Sequence, residues 1–495
     1  MLRIGPDDPV VEDLSLSNRA LDSRISSTSS DTKGTLYSVL EQFQRHIFAT
    51  GLLEPDSKVI VGYSGGADST CLLHLLKSLG YDIVAAHLHH GQRPDADKEL
   101  NLCEAFCSEL GVPFVSGKAD VPKMSKDLKI GIEEAGRLAR YNFLEQAYRR
   151  LECDLIATAH TRTDHVETVL LNLTRGTGPQ GLAGIPARRQ NIVRPLLPFS
   201  RSDTTLYCKN NGLWYHDDPG NEDVDFSRVR VRHLVAPELA VINPNFEEAI
   251  ARCAKIVDEE DRFLNGAAAA ALEQSEVTLN DALSFLTRDL ELAFDKSKLL
   301  SLPPVLFKRA VRLAFQSLGA SIDFAHTEFI AENVQDNSGS ITAEGGEVVC
   351  EWKEGIVHFR VLRPTTTFRF GITIPGETES NEFGWKITAR VSKPNGAQQT
   401  RTGLTVELPK DQVHGELYFR SCQTGDSMQP LGFDGTRKLS DLLSEAGLTP
   451  AARVRLPLIC DFLGPIWAPG VCFSNRMYKS VECDSVVVLT FEPTN

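Results

Sequence analysis

The chain has 495 residues, 42% of them hydrophobic and 24% charged, which is the composition of an ordinary globular protein of about three domains. Its 52 basic and 66 acidic residues give a net charge of −14, which argues against a polybasic nucleic-acid binder but leaves room for a local basic face. The eleven cysteines form no CxxC pair, no stretch approaches the ~18 apolar residues of a membrane span, and no apolar signal core opens the chain. We expect a cytoplasmic protein with reduced thiols and no membrane partner, and we exclude collagenous, membrane and disulfide-scaffold classes.

In chain order, residues 1–35 are polar, rich in serine and scattered with acids, so we expect a disordered extension. From 36 to 240 short apolar runs alternate with amphipathic segments. The apolar runs at 58–63, 82–87, 113–115 and 154–159 predict buried strands, and the segments at 69–79, 98–110, 131–151 and 164–173 predict helices. Strands alternating with helices predict an α/β domain whose parallel sheet has helices on both faces.

The spacing of apolar residues changes in the second half of the chain. From 241 the apolar spacing is helical, with an alanine-rich block at 267–271, whereas from about 346 the pattern predicts strands at 347–352, 356–361, 386–391 and 404–408. We therefore predict an extension at 1–35, an α/β domain at 36–240, a small helical domain at 241–365 and a C-terminal α+β domain at 366–495.

The most informative segment is VIVGYSGGADS at 59–69, where a buried strand meets a helix through a glycine turn. Two glycines allow a tight turn and close approach of a ligand, and the free N–H groups at the start of the following helix favour an anion. Asp68 adds a carboxylate, which would repel phosphate unless a cation lay between them, so we expect Mg²⁺ with a nucleotide. A Walker A loop would need a lysine and a dinucleotide loop would need GxGxxG; both are absent.

This segment resembles the pyrophosphate loop of the PP-loop ATP pyrophosphatases, an adenine nucleotide alpha hydrolase-like fold. Members of that superfamily cleave ATP between the α and β phosphates, adenylate a carbonyl oxygen and let a nucleophile displace AMP. The phosphate-binding residues implied by the resemblance are Ser64, Gly65, Gly66, Ala67, Asp68 and Ser69.

Further blocks follow in a characteristic order: HLHHGQR (87–93), EEAGRLARY (133–141), AHTRTDHVET (159–168), RGTGPQGL (175–182), RPLL (194–197), Asp217, Asp218 and Asn221, and FSRVRVRH (226–233). Together they resemble the tRNA(Ile)-lysidine synthetase family, densely over about 58–245 and again at 425–430 and 470–471. Val229 stands where the family usually has asparagine, Thr161 replaces a common second histidine, and the N-terminal extension has no recognised counterpart.

The resemblance implies ATP and Mg²⁺ as cofactors, and a tRNA(Ile) with a CAU anticodon and free L-lysine as partners. It implies that the wobble cytidine is adenylated and that lysine then displaces AMP, with the helical and C-terminal domains binding tRNA. The implied catalytic residues are Asp68, which also contacts the metal, Arg137, Arg140, His160 and Glu167. The implied substrate or tRNA contacts are Asp164, Arg175, Arg228 and Arg232. A homodimer is left open.

Each of these side chains also has a purely structural interpretation. Asp164 and Asp68 are plausible helix caps, and His160 could be a loop residue at a strand end. Arg137 and Arg140, three positions apart on one helix face, could be ordinary surface charges.

The charge is nevertheless distributed unevenly. Residues 137–201 contain ten arginines, no lysine and five acids, and arginine is suited to phosphate contact. Arg437, Lys438, Arg453 and Arg455 could form a second basic patch. We predict tRNA binding that weakens steeply with salt.

Two other functional classes compete with the ligase. A different PP-loop enzyme, such as a tRNA thiolase or a glutamine-dependent synthetase, is disfavoured because there is no CxxC and residue 2 is leucine rather than a nucleophilic cysteine. A nucleotide- or tRNA-binding protein with an inactive site is disfavoured because the loop at 64–69, His160 and Glu167 are all present.

Overall fold

A computed structural model of the chain describes residues 15–17, 33–90, 96–216, 227–362, 366–380, 382–394, 400–477 and 483–494. The chain divides into two compact units, residues 1–261 and residues 262–495. The expected disorder of residues 1–35 falls mostly outside the described residues. Across the described ranges, no helix is both long and apolar enough to cross a bilayer.

The first unit is an α/β structure. Its strands are β1 (Ser15–Ser17), β2 (Lys58–Gly62), β3 (Asp82–His89), β4 (Phe114–Lys118), β5 (Leu155–Ala157), β6 (Arg188–Arg189) and β7 (Ile192–Val193). Its helices are α1 (Lys33–Thr50), α2 (Ala67–Ser78), α3 (Ala96–Glu109), α4 (Val121–Leu128), α5 (Ile132–Arg150), α6 (Arg162–Thr174), α7 (Pro179–Leu182), α8 (Arg201–Asn210), α9 (Ser227–Arg230) and α10 (Ala236–Ile242). A π-helical turn, Val231–Val235, joins α9 to α10, and α11 (Phe246–Ser275) runs into the second unit.

The strands form one sheet in the order β1-β4-β3-β2-β5-β7-β6. Strands β4, β3, β2, β5 and β7 are parallel, which confirms the predicted parallel sheet, while β1 and β6 pair antiparallel at its edges. From β2 the chain builds outward first through β3 and β4 and then, on the other side, through β5 and β7. The carboxyl ends of β2 and β5 therefore flank the point where strand order reverses, which is where open α/β sheets bind ligands.

Successive residues of β2 point to opposite faces of this sheet, as strand geometry requires. Val59 and Val61 pack into a core with Leu72 of α2, whereas Ile60 packs into a second core with Phe143 of α5. All three β2 residues are fully buried. Helices therefore cover both faces, as the alternating pattern predicts.

In the described residues of the second unit, helices are combined with four sheets. Its strands are β8 (Glu291–Asp295), β9 (Ser338–Thr342), β10 (Val348–Lys353), β11 (Ile356–Val361), β12 (Arg369–Gly371), β13 (Gly376–Ser380), β14 (Trp385–Ser392), β15 (Thr405–Pro409), β16 (Tyr418–Arg420), β17 (Ser427–Met428), β18 (Arg437–Lys438), β19 (Leu458–Asp461), β20 (Gly464–Ala468), β21 (Cys472–Phe473) and β22 (Val486–Pro493). Its further helices are α12 (Lys296–Leu300), α13 (Pro304–Ser317), α14 (Phe324–Asn333), α15 (Leu439–Glu445) and α16 (Pro450–Arg455). The sheets have the orders β8-β11-β10-β9, β12-β16-β19-β20-β21, β13-β14-β22-β15 and β17-β18.

The four strands predicted beyond residue 346 are confirmed as β10, β11, β14 and β15. The expectation of helices alone between 241 and 345 is wrong in two places, because β8 and β9 lie there. Both are five-residue strands that add to the edges of the β10–β11 hairpin, β8 from more than fifty residues away. Pairing partners at that separation leave no periodic signal in a single sequence. The domain boundaries themselves stay a prediction.

Candidate active site

The glycine turn lies at the carboxyl end of β2, at the reversal of strand order. The Ser64 N–H donates to Ser69 Oγ at 3.2 Å, and Ser69 Oγ donates to the Gly66 carbonyl at 3.0 Å. Gly66 is the N-cap of α2 and has no side chain to cap the helix. The two serines thus brace the loop, while the amide donors of the first turn of α2 stay available to an anion.

Gly65 has to be a glycine for two reasons. Its φ of +82° lies in the left-handed region, which side-chain-bearing residues rarely adopt. A Cβ there would also lie 2.8 Å from Cys103 Sγ and 3.0 Å from His216 Nδ1. The His216 N–H donates to the Gly65 carbonyl at 3.0 Å, so the segment before residue 217 packs directly on the loop.

Asp68, in the first turn of α2, is held from α8. Thr204 Oγ1 donates to Asp68 Oδ1, and Arg201 Nε lies 3.4 Å from Asp68 Oδ2. Burial raises the pKa of the Asp68 carboxyl, while Arg201 and Thr204 act in the opposite direction. Asp68 is therefore a fixed carboxylate at the start of the phosphate loop helix rather than a simple cap.

Asp164 serves two purposes on α6. Its Oδ2 accepts from the Thr161 N–H at 2.9 Å and Thr161 Oγ1 donates to it at 3.0 Å, which completes a capping box at the N terminus of α6. Its Oδ1 lies 3.3 Å from Arg201 Nη2 and 3.7 Å from Arg228 Nη2. Burial alone would raise the pKa of Asp164, but the two guanidinium groups and the Thr161 amide outweigh burial and lower it.

Glu167 lies one turn further along α6 and is 2% exposed. Arg232 donates from Nε to Oε1 at 2.7 Å and from Nη2 to Oε2 at 3.0 Å, and Arg228 donates from Nε to Oε2 at 2.9 Å. Arg228 also reaches the Asp164 carbonyl at 3.2 Å. Two guanidinium groups therefore compensate the buried carboxylate, as burial of a charge requires.

These contacts form one continuous row of alternating charges across α2, α8, α6 and the segment after residue 226. The row, which we call the charge row, is Asp68, Arg201, Asp164, Arg228, Glu167 and Arg232. It links the phosphate loop at one end to a buried glutamate at the other.

His160 follows β5 at the same edge of the sheet. Its Nδ1 lies 3.0 Å from Thr158 Oγ1. Burial, assisted by the nearby Arg194, Arg228 and Arg137 charges, lowers the pKa of His160 to about 3, although Asp164 opposes the shift. The imidazole is therefore neutral at physiological pH.

The remaining predicted arginines, Arg137, Arg140 and Arg175, are exposed residues. Arg137 and Arg140 are exposed on α5, with the Arg137 guanidinium 5.2 Å from the centre of the Tyr141 ring. Arg175 is exposed at the C-cap of α6, about 12 Å along the helix axis from Glu167. The structure thus brings Asp68, Asp164, Glu167, Arg228 and Arg232 into the charge row but leaves Arg175 outside it. Gln92, Arg93, Asp217, Asp218 and Asn221 lie outside the described residues.

Comparisons with known proteins agree with this geometry. A family model described as a PP-loop domain matches residues 36–239, and one described as the TilS substrate C-terminal domain matches residues 416–488. The tRNA(Ile)-lysidine synthase of Caldanaerobacter subterraneus is 27% identical over 92% of this chain and 98% of its own length. That of Geobacillus kaustophilus is 28% identical over 88% of this chain and 95% of its own length.

The chain thus combines a PP-loop domain with a TilS substrate C-terminal domain and is similar to tRNA(Ile)-lysidine synthases over about 90% of its length. Among solved structures, the U34-tRNA thiolase NcsA from Methanococcus maripaludis, with its [4Fe-4S] cluster, aligns with a TM-score of 0.40 at 18% identity, covering 46% of this chain and 81% of that one.

Two residues of the site carry no motif that singles them out in the sequence. Arg201 is a member of the charge row, and Thr204 contacts the row at Asp68. A usable signal was present, because Ser200 and Asp203 form a capping box that marks the start of α8 directly beside them. What the sequence could not reveal is that α8 packs against α2.

The second basic patch is largely engaged within its own unit. Arg437 pairs with Glu445, and Arg455 Nη1 lies 2.6 Å from Asp289 Oδ1. Arg453 Nε donates to the Leu448 carbonyl at 2.9 Å. These three arginines act first as structural contacts of the C-terminal part, which argues against a free basic patch there.

Proposed function

We propose that this protein ligates lysine to C2 of the wobble cytidine, position 34, of a CAU-anticodon tRNA(Ile), giving lysidine and switching codon reading from AUG to AUA. ATP is consumed to AMP and diphosphate. The observation that carries the proposal is the occurrence, on one chain, of a PP-loop domain and a TilS substrate C-terminal domain, aligned over almost the whole length of a tRNA(Ile)-lysidine synthase.

In this proposal the phosphate loop binds ATP. The amide groups at the uncapped start of α2, residues 67–69, meet the phosphates, and the Ser64 and Ser69 hydroxyls keep the loop in shape. Gly65 lets the backbone approach closely, since a side chain would collide with Cys103 and His216.

Asp68 fits a magnesium site. Mg²⁺ is typically bound through one or two carboxylates together with substrate phosphates, and Asp68 is a fixed carboxylate at the phosphate-binding helix end. When bound, the ion would neutralise charge on the phosphates. Arg201 and Thr204 hold Asp68 in place.

The first chemical step is attack of the cytidine O2 on the α-phosphate, with diphosphate leaving. Negative charge grows on phosphate oxygens, and fixed donors aimed at that charge stabilise the transition state. We assign this role to the amides at the start of α2 and to Arg137 and Arg140, two exposed residues of α5.

The second step is attack of the lysine ε-amine on C2, which releases AMP. The amine has to be neutral, so a carboxylate near it would first hold the ammonium and then accept its proton. We place Glu167 at the substrate lysine or the cytidine, with Asp164 beside it. Because Arg228 and Arg232 donate to both Glu167 oxygens, direct contact with a substrate requires one of these arginines to move away. A pKa of about 3 makes His160 a poor proton acceptor, so we assign it an orienting hydrogen bond beside the reacting centre.

Arg175, Arg228 and Arg232 are proposed tRNA contacts, with Arg175 the most open of the three. Free L-lysine as the second substrate and a cytoplasmic location complete the proposal. A homodimer stays a prediction, which light scattering on the purified protein would test.

The test is ATP-dependent incorporation of labelled lysine into a CAU-anticodon tRNA(Ile) transcript, with tRNA(Met) and an Asp68→Asn variant as controls. We expect label on tRNA(Ile) with wild-type protein alone. Release of AMP and diphosphate without label would indicate another nucleophile. Neither label nor AMP would favour a binding protein and contradict the proposal.

A further inference from the structure

Helix α8 contacts α2 at its first turn and again at His74. In the first turn, Thr204 donates to Asp68, and Cys208 Sγ donates to the Ala67 carbonyl at 3.3 Å. Further along α2, the Tyr207 hydroxyl lies 2.9 Å from His74 Nδ1. Thr204 is 1% exposed, so bulk water does not compete for its hydroxyl, whose other acceptor is the Arg201 carbonyl at 2.9 Å.

The backbone of Arg201 is fixed from both sides. Ser200 caps α8, its side chain accepting from the Asp203 N–H at 3.1 Å while Asp203 Oδ2 accepts from the Ser200 N–H at 2.8 Å. The Arg201 N–H itself donates to Thr163 Oγ1 of α6 at 3.2 Å. The first turn of α8 is therefore locked to the first turn of α6.

From this position the Arg201 side chain bridges two carboxylates. Nε lies 3.4 Å from Asp68 Oδ2, and Nη2 lies 3.3 Å from Asp164 Oδ1. The side chains of both acids are largely buried, at 19% and 12% exposure. Two anions sharing such a site repel each other unless a cation lies between them.

We propose that Arg201 and Thr204 are positioning residues for the phosphate loop. One turn of α8 holds both oxygens of Asp68, Thr204 holding Oδ1 and Arg201 holding Oδ2, and Arg201 ties that carboxylate to α6. The loop is thereby set in the geometry that binds the magnesium nucleotide. This inference rests on the proposed role of Asp68 in nucleotide binding.

The two residues contribute in different ways, which makes the inference testable. A magnesium–ATP complex carries net negative charge, so loss of the Arg201 guanidinium removes both orientation and a favourable charge. Replacing Thr204 by valine removes the hydroxyl that reaches Asp68 and the Arg201 carbonyl, without changing charge or size. A change of nucleotide affinity in Thr204→Val therefore reports the orientation of Asp68 and not a change of charge.

The experiment is calorimetric binding of α,β-methylene-ATP at several Mg²⁺ concentrations, without tRNA or lysine, alongside thermal melts of each variant. We expect the dissociation constant to rise about tenfold in Arg201→Met and about threefold in Thr204→Val, the loss of a charge-assisted and of a single hydrogen bond. Arg201→Lys should lie between wild type and Arg201→Met, and Thr204→Ser should bind as wild type does.

Arg360→Met is the matched control. Arg360 Nη2 lies 2.8 Å from Glu351 Oε1 in the second unit, so its loss should lower the melting temperature and leave nucleotide affinity unchanged. Wild-type affinity in both Arg201→Met and Thr204→Val would overturn the inference, as would an equal loss in Arg360→Met. Wild-type protein that fails to bind the analogue at any Mg²⁺ concentration would instead overturn the proposed role of Asp68.

Discussion

Arg232 contacts both carboxylate oxygens of Glu167, donating from Nε to Oε1 at 2.7 Å and from Nη2 to Oε2 at 3.0 Å. This fork geometry is specific to arginine, since a lysine ammonium offers a single point charge. Glu167 is nearly inaccessible, so few other groups could replace the lost donor.

Arg232→Lys should therefore reduce stability by about 1–3 kcal/mol, the usual cost of losing a hydrogen bond to a buried charge. It should also raise the KM for lysine, because Glu167 would be less firmly held. Chemical denaturation and steady-state kinetics measure the two effects. Arg230→Lys, an exposed neighbour in the same segment, is the control and should change neither.

Gly65 and Gly80 provide a matched pair of substitutions. Both have a φ of +82°, but a Cβ at Gly80 meets nothing within 4 Å, whereas one at Gly65 would collide with Cys103 and His216. Gly80→Ala should cost about 1 kcal/mol of backbone strain and keep ATP binding. Gly65→Ala should abolish ATP binding in calorimetry. Equal affinities in the two variants would contradict the assigned path of the phosphate loop.

His87 should make the protein sensitive to acid. Burial lowers the pKa of His87 to about 4, and its Nδ1 lies 3.0 Å from the Tyr63 carbonyl. Below pH 6.5 the histidine of the unfolded chain, with a pKa of about 6.5, binds a proton, whereas His87 in the folded state stays neutral until the pH is much lower. The contribution of neutral His87 to the free energy of unfolding is fully present above pH 6.5. It is lost as the pH falls toward 4, by up to about 3 kcal/mol.

His87→Asn keeps a side-chain donor toward Tyr63 but cannot titrate. Urea denaturation from pH 7.5 to 4.5 should show the free energy of unfolding falling less steeply in this variant than in wild type. Parallel pH profiles would show that another group controls the acid response.

Arg137 and Arg140 should contribute to tRNA binding through phosphate contacts. The double variant Arg137→Ala/Arg140→Ala should weaken binding and lower the slope of log K against log salt by about 1–2, since each phosphate contact contributes slightly less than one unit. Filter binding across a salt titration measures this. Arg149→Ala, on the same helix but paired with Glu145 at 2.9 Å, should leave the slope unchanged. A wild-type affinity that does not depend on salt would argue against phosphate contact altogether.

The sequence by itself determined the elements whose signals are local. The apolar run at 58–62 and the glycine turn after it predicted β2, the phosphate loop and the start of α2, because strand burial, turn geometry and helix initiation each depend on adjacent residues. The spacing of Arg137 and Arg140 likewise placed both side chains on one face of a helix, which is α5.

Only the tertiary structure decided which distant side chains share the site. Arg201 and Thr204 reach Asp68 across more than 130 residues because α8 packs on α2, and β8 becomes a strand because the distant β11 pairs with it. Tertiary packing also neutralises His160, through burial and nearby arginines. Ion pairing and pKa depend on distance and desolvation in three dimensions, and neither of these can be read from the order of the residues.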